Sequence, residues 1–212
     1  MKQYIKIAVL GGGGRTGKFL VTQLLEQGYR LRLLLRTPEN FTIESPFIDI
    51  VQGDAVDPDA IHELLEGCHA VISTVGQRKD EPMVSSQATI NVLKSMSEHG
   101  ISRYILLAGL NVDTPCDKKG PRTEMATAWM KANYPEPHAD RQEMYSILSA
   151  SDLDWTLVRV PLIGFSEDST EVIVDLEDCK GETIHAADIA AFLIAQLSEE
   201  EYFKKSPFIT NP

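Results

Sequence analysis

Cysteine is scarce in this chain of 212 residues. The three present, Cys68, Cys116 and Cys179, are odd in number and far apart, with no CxxC and no neighbouring His pair. That excludes a disulfide framework and a thiolate zinc site. Bases are short too: 20 Lys and Arg stand against 31 Asp and Glu, a formal charge of -11. Nucleic acid and anionic membranes need clustered Lys and Arg, so both are excluded as partners. No apolar run approaches the ~18 residues of a membrane span. The opening MKQYIKIAVLGG has too short an apolar stretch and no small-residue cleavage site for a signal peptide. A cytoplasmic protein with free thiols is expected. Linker-like composition, internal repeats, a Ser-His-Asp pattern and HExxH are likewise absent, which leaves hydrolysis without support.

What the chain has is a regular alternation. Nearly continuous apolar runs predict strands at 4–10, 29–36, 48–54, 69–76, 102–110 and 154–160. Helical spacing predicts helices at 17–28, 57–67, 85–100, 138–151 and 186–200. Asp57 stands at a capping position, and Gly67 and Gly100 at helix ends. Strands apolar on both faces and separated by helices indicate a parallel sheet covered on both sides. The fold class is therefore α/β, a single Rossmann-like doubly wound domain over residues 1–212.

The first strand-to-helix turn reads VLGGGGRTGKFL. It contains Gly12-x-Gly14-x-x-Gly17 and Gly11-x-x-Gly14-x-x-Gly17, both spacings of dinucleotide-binding turns. Glycine permits a tight turn and close approach of a pyrophosphate to backbone N–H groups, and a helix N-terminus then faces the phosphates. About 20 residues into such a motif an NAD site carries Asp or Glu for the ribose 2′-OH. Here that position is Arg36. An arginine there pairs with a 2′-phosphate, and Arg15 offers a second guanidinium, so NADP(H) is the expected cofactor.

These segments, with VQGDAVD, AVISTVG, ISRYILLAGL and LSASDLDWTLVRVPLIG in order, resemble the atypical short-chain dehydrogenase/reductase family, NAD(P)H-binding group. Within it the chain is most similar to proteins of the flavin reductase/biliverdin-IXβ reductase type. The resemblance spans roughly residues 4–198. It implies that Gly11, Gly14, Arg15, Thr16 and Gly17 cradle the pyrophosphate and that Arg36 takes the 2′-phosphate. It further implies that Asp54 and Ala55 border the adenine, with Val75, Gly76 and Gln77 along the nicotinamide-side ribose.

The chain departs from the wider superfamily where a Ser and a Tyr-x-x-x-Lys pair are expected. Those positions read Ala108-Gly109, Pro137 and Arg141, and no tyrosine has a lysine four residues later. Alcohol oxidation through a tyrosine proton donor is therefore disfavoured. Two readings remain open. In one, hydride passes from NADPH to a flavin-like, quinone-like or carbonyl acceptor; His138 and Arg141, three apart on a helix start, border the pocket as proton donor and anion clamp. Both can equally be ordinary helix residues. In the other, the fold binds NADP(H) without turnover and acts as a redox sensor. The partner is a small-molecule substrate, the chain a monomer or small homo-oligomer, and no metal is assigned. Trp129 and Met130 read as the lining of an apolar pocket or, by default, as core, the acidic run 167–182 as a hairpin strand around Val172 and Val174, and 197–205 as a solvated helix end.

Overall fold

The computed structural model describes residues 5–78, 80–166 and 168–212. In chain order the elements are β1 (Lys6–Leu10), α1 (Arg15–Glu26), β2 (Arg30–Leu35), β3 (Ile48–Gln52), α2 (Pro58–Leu65), β4 (Ala70–Ser73), α3 (Ser85–His99), β5 (Arg103–Gly109), α4 (Pro121–Asn133) and α5 (Pro135–Ser149). Then follow β6 (Asp154–Val160), β7 (Leu162–Gly164), β8 (Ile173–Asp175), β9 (Thr183–His185), α6 (Ala186–Ala195) and β10 (Phe208–Thr210). Eight strands form one sheet in the order β3-β2-β1-β4-β5-β6-β10-β8, and β7 pairs with β9 separately. Every ladder of the large sheet is parallel except β10 with β8. The doubly wound parallel sheet expected from the apolar runs is the fold found.

Strand alternation divides the core. Ile7 and Val9 point to a layer with Leu20, Val21 and Leu24 of α1 and Ile189 and Leu193 of α6. Ala8 and Leu10 point to the other side, against Ile61 and Leu64 of α2, Val92 and Met96 of α3 and Leu148 of α5. The expected strands and helices recur with ends shifted by a few residues; the call on Tyr4 as part of the first strand lies outside the described residues. Asp57 caps α2, its carboxylate accepting from the Asp59 N–H at 2.9 Å. α3 ends at Gly100 with φ +67°.

Three readings are corrected. The strand in the acidic run does not fold back as a hairpin: β8 pairs antiparallel with the distant β10. Residues after Ala195 do not prolong the helix. They turn back to β6, where Lys204 donates its N–H to the Trp155 carbonyl at 2.7 Å and Leu157 donates to that of Lys205 at 3.1 Å. Trp129 is not core, being 55% exposed on α4, and Met130 is only half-buried.

Helix α4 and strands β7, β9 and β10 stand outside the expected set. α4 buries one residue, Thr123, so it has no apolar stripe to read. Its N-terminal end is tied down instead: the Thr123 hydroxyl donates to Asp178 at 2.7 Å and Arg122 donates to the carbonyls of Cys179 and Lys180. β10 is followed by Asn211, which is buried, donates to Asp188 at 2.8 Å and accepts from the His185 N–H. Among the described residues no helix is long and apolar enough to cross a membrane.

Candidate cofactor and substrate cleft

The order of the sheet reverses between β1 and β4, and the crevice outside the carboxyl ends of the strands at such a point is where open α/β sheets bind ligands. A cleft of about 650 Å³ lies there, bordered by the turns that follow β1, β2, β3, β4, β5 and β6.

At its floor the Gly14 N–H donates to the Gly11 carbonyl at 2.9 Å, closing the turn into α1. Gly11 has φ +78°, and a Cβ on it would stand 2.8 Å from the Thr74 backbone. Gly17 is tighter still: a Cβ there would overlap the Gly11 carbonyl. Bare backbone is thus required where the helix meets the turn. Helix α1 begins without a side-chain cap and without an acidic residue in its first turn, so its positive N-terminal end is left for an anion.

Arg15, Thr16, Gly17, Arg36, Asp54, Ala55, Val75, Gly76, Gln77 and Arg141 all line the same cleft with Gly11 and Gly14. Arg36 ends β2. Its guanidinium holds both oxygens of Glu81, at 2.6 and 3.1 Å, and lies 3.5 Å from Asp54. The Glu81 hydrogen bond raises its pKa, and the negative charges of Glu81 and Asp54 add to that against partial burial. Arg15 stacks on Phe165, 4.2 Å from the ring centroid. The Gln77 amide nitrogen donates to three carbonyls, those of Arg78, Glu81 and Pro82, which fixes its orientation. Its Oε1 is then buried with no partner.

A family model described as NAD(P)H-binding matches residues 11–200, nearly the whole chain and all of this cleft. The chain belongs to this NAD(P)H-binding family. It is 23% identical to an uncharacterised chloroplast protein of Arabidopsis thaliana over 94% of this chain and 74% of that one. In fold it is similar to a short-chain dehydrogenase/reductase of Veillonella parvula solved in complex with NADP, with a TM-score of 0.80, 15% identity, and 98% and 95% of the two chains covered. It is equally similar to ChuY, an anaerobillin reductase of Escherichia coli O157:H7, with a TM-score of 0.80, 20% identity, and 98% and 97% covered. The family expected from the glycine turn and its flanking segments is the family found.

The residues suit the cofactor of this family. A glycine cradle whose Cβ positions are sterically closed, an uncapped helix start and a buried acceptor without a donor are what a pyrophosphate and a ribose or carboxamide donor complete.

The two residues singled out on α5 part company. Arg141 lines the cleft near Gly109, its Nη1 standing 3.9 Å from where a Gly109 Cβ would be. It is half-buried and, among the described residues, has neither a hydrogen bond nor an ion pair; burial lowers its pKa and the charge of Asp140 opposes that. His138 is buried and absent from the cleft lining. Its Nδ1 accepts from Asn111 at 3.1 Å, and Asn111 Oδ1 would be 2.6 Å from a Gly109 Cβ. Through Asn111, His138 bears on the shape of the β5 end. Glu81, Phe165, Ile163 and Thr74 also line the cleft and were not singled out from the sequence. Glu81, Phe165 and Thr74 come from connecting segments and Ile163 from the three-residue β7, stretches without periodicity where no local signal marks them.

Proposed function

We propose that this chain is an NADPH-dependent reductase of a flat, conjugated acceptor that carries an anionic group. The observation that carries the proposal is Arg141: a half-buried guanidinium with no hydrogen bond or ion pair among the described residues, on the wall of a cleft in an NAD(P)H-binding family. Such a charge is costly to leave unpaired and fits a carboxylate or phosphate of the substrate. The choice of NADPH over NADH rests on Arg36.

NAD(P)H supplies a hydride. The chain's part is to hold and orient. The glycine turn and α1 start seat the pyrophosphate, Arg36 receives the 2′-phosphate, and Gln77 Oε1 accepts from a ribose or amide donor. Arg141 fixes the acceptor by its anionic group, and Leu107, Val160, Pro161 and Ile163 give that end of the cleft an apolar wall for a flat ring. Arg141 is the only titratable side chain described there, beside Ala108 and Gly109 at the β5 end, so the acceptor takes its proton from solvent, as flavins and quinones can. His138 is then a positioning residue acting through Asn111 rather than a proton donor.

The same shortage of proton donors favours the second reading, a non-catalytic NADP(H) sensor. One screen separates them: NADPH oxidation followed at 340 nm with FMN, riboflavin, small quinones, carbonyls and an open-chain tetrapyrrole, the last because ChuY is a bilin reductase of the same fold. Turnover with an anionic acceptor, lowered about tenfold or more in kcat/KM by Arg141→Ala with NADPH affinity intact, is the expected result. Tight NADPH binding with no turnover across the set establishes the sensor.

A further inference from the structure

The outer edge of the Arg36 guanidinium, its Nη1 and Nη2, is already filled. Glu81 occupies it with both carboxylate oxygens, at 2.6 and 3.1 Å, from the segment that follows β4. We propose that Glu81 is a specificity-determining residue that stands in for the 2′-phosphate in the free protein and must yield Arg36 to it when NADPH binds. This rests on the reading of Arg36 as the 2′-phosphate ligand and adds a competitor to it.

Carboxylate and phosphate demand the same bidentate geometry from a guanidinium, and two anions cannot share one fork without repelling each other. The exchange needs little backbone movement. The Gln77 amide nitrogen ties the carbonyls of Arg78, Glu81 and Pro82, so the Glu81 side chain can swing while its backbone stays held. It also has somewhere to go: Arg78, well exposed, already lies 3.7 Å from Glu81 Oε1. Asp54, 3.5 Å from Arg36, remains beside it in either arrangement. NADH has no 2′-phosphate and leaves the Arg36–Glu81 pair closed. Glu81 thus lowers the affinity for NADPH while leaving that for NADH untouched, which narrows a preference that Arg36 alone would make wider.

The test is calorimetric titration of wild type, Glu81→Gln and Arg36→Ala with NADPH and with NADH, at low and at 0.5 M salt. Glu81→Gln is expected to bind NADPH about two- to fivefold more tightly, the span of an exposed ion pair, with NADH unchanged. It is also expected to steepen the salt dependence of NADPH binding, because the phosphate no longer displaces an internal anion. An unchanged or weaker NADPH affinity in Glu81→Gln, or a loss of NADH affinity, overturns the proposal; the last would make Glu81 a ribose ligand. If Arg36→Ala leaves the NADPH to NADH ratio unaltered, the reading of Arg36 itself fails, whatever Glu81 does.

Discussion

Asp140 of α5 caps a helix it does not belong to: its Oδ1 accepts the Ser86 backbone N–H at 3.1 Å and the Ser86 hydroxyl at 2.5 Å, while Oδ2 accepts the Ser85 N–H at 2.8 Å. Helix α3 has no cap of its own, since Val84 stands at that position. The buried carboxylate therefore joins the helix that follows the cofactor segment to the helix that carries Arg141. Burial pushes its pKa up, the bonds from Ser86 and Ser85 pull it down, and the net direction is down. A carboxyl lowered on folding adds stability above its unfolded pKa and loses it as pH falls through the folded one. Asp140→Asn is expected to cost about 1–3 kcal/mol at pH 7. The gap from wild type should close below about pH 4, the ordinary carboxylate range, in urea melts run across pH. A gap independent of pH would refute a role for the charge.

The glycine turn predicts a contrast between two substitutions. Gly17→Val forces a side chain into the Gly11 carbonyl, whereas a Cβ on Gly76 meets nothing within 4 Å. Gly17→Val should destabilise by about 1–3 kcal/mol and abolish NADPH binding. Gly76→Ala should leave the melting temperature near that of wild type. Thermal unfolding with and without NADPH reads both effects.

Thiol labelling should find one reactive cysteine in the native protein. Cys116 is exposed, while burial pushes the thiols of Cys68 and Cys179 up to about 11. At pH 8 a disulfide reagent is expected to react fast with one thiol per chain and with all three in denaturant. Rapid native labelling of more than one would contradict the burial.

Beneath the β5–α4 connection, Arg159 of β6 is fully buried and donates to both Asp117 oxygens at 2.8 Å, with Lys119 at 3.7 Å on the same carboxylate. Asp117→Ala leaves two cations without it. The expected cost is about 3–5 kcal/mol by denaturant unfolding. A loss below about 1 kcal/mol would show that Asp113 and the Val112 carbonyl suffice.

How much of this was legible depends on where each residue takes its instructions. Strands β1, β2, β4, β5 and β6 are buried on both faces and write that burial as unbroken apolar runs, so their places in the chain and the parallel sheet could be read. The glycine turn is legible for a like reason, because the clash that keeps Gly17 bare, with the Gly11 carbonyl, is local. α4 is held by side-chain bonds to a carboxylate and carbonyls of a segment more than 50 residues away, and no spacing within it announces a helix. Trp129, read as core from its apolar character, is exposed because α4 turns that face outward.

His138 and Arg141 show the limit most clearly. Three residues apart, they sit about 60° from each other around the helix. That offset suffices to send one ring into the protein against Asn111 and the other group into the cleft. Glu81 was invisible for a different reason: its partner lies 45 residues away across the top of the sheet.

Strand β10 has a bearing on how the molecule comes to be made. β6 gains its outer neighbour from residues 204–208, and the Asn211 bonds to Asp188 and His185 close behind it. On the ribosome, a chain grown past β6 carries that strand with one edge open while the residues from 161 to 203 are added. An open edge is a template for pairing with another chain. The parallel sheet can be nearly assembled and still be adhesive, so neighbouring nascent copies meet during synthesis at their most vulnerable surface, one that the finished protein hides.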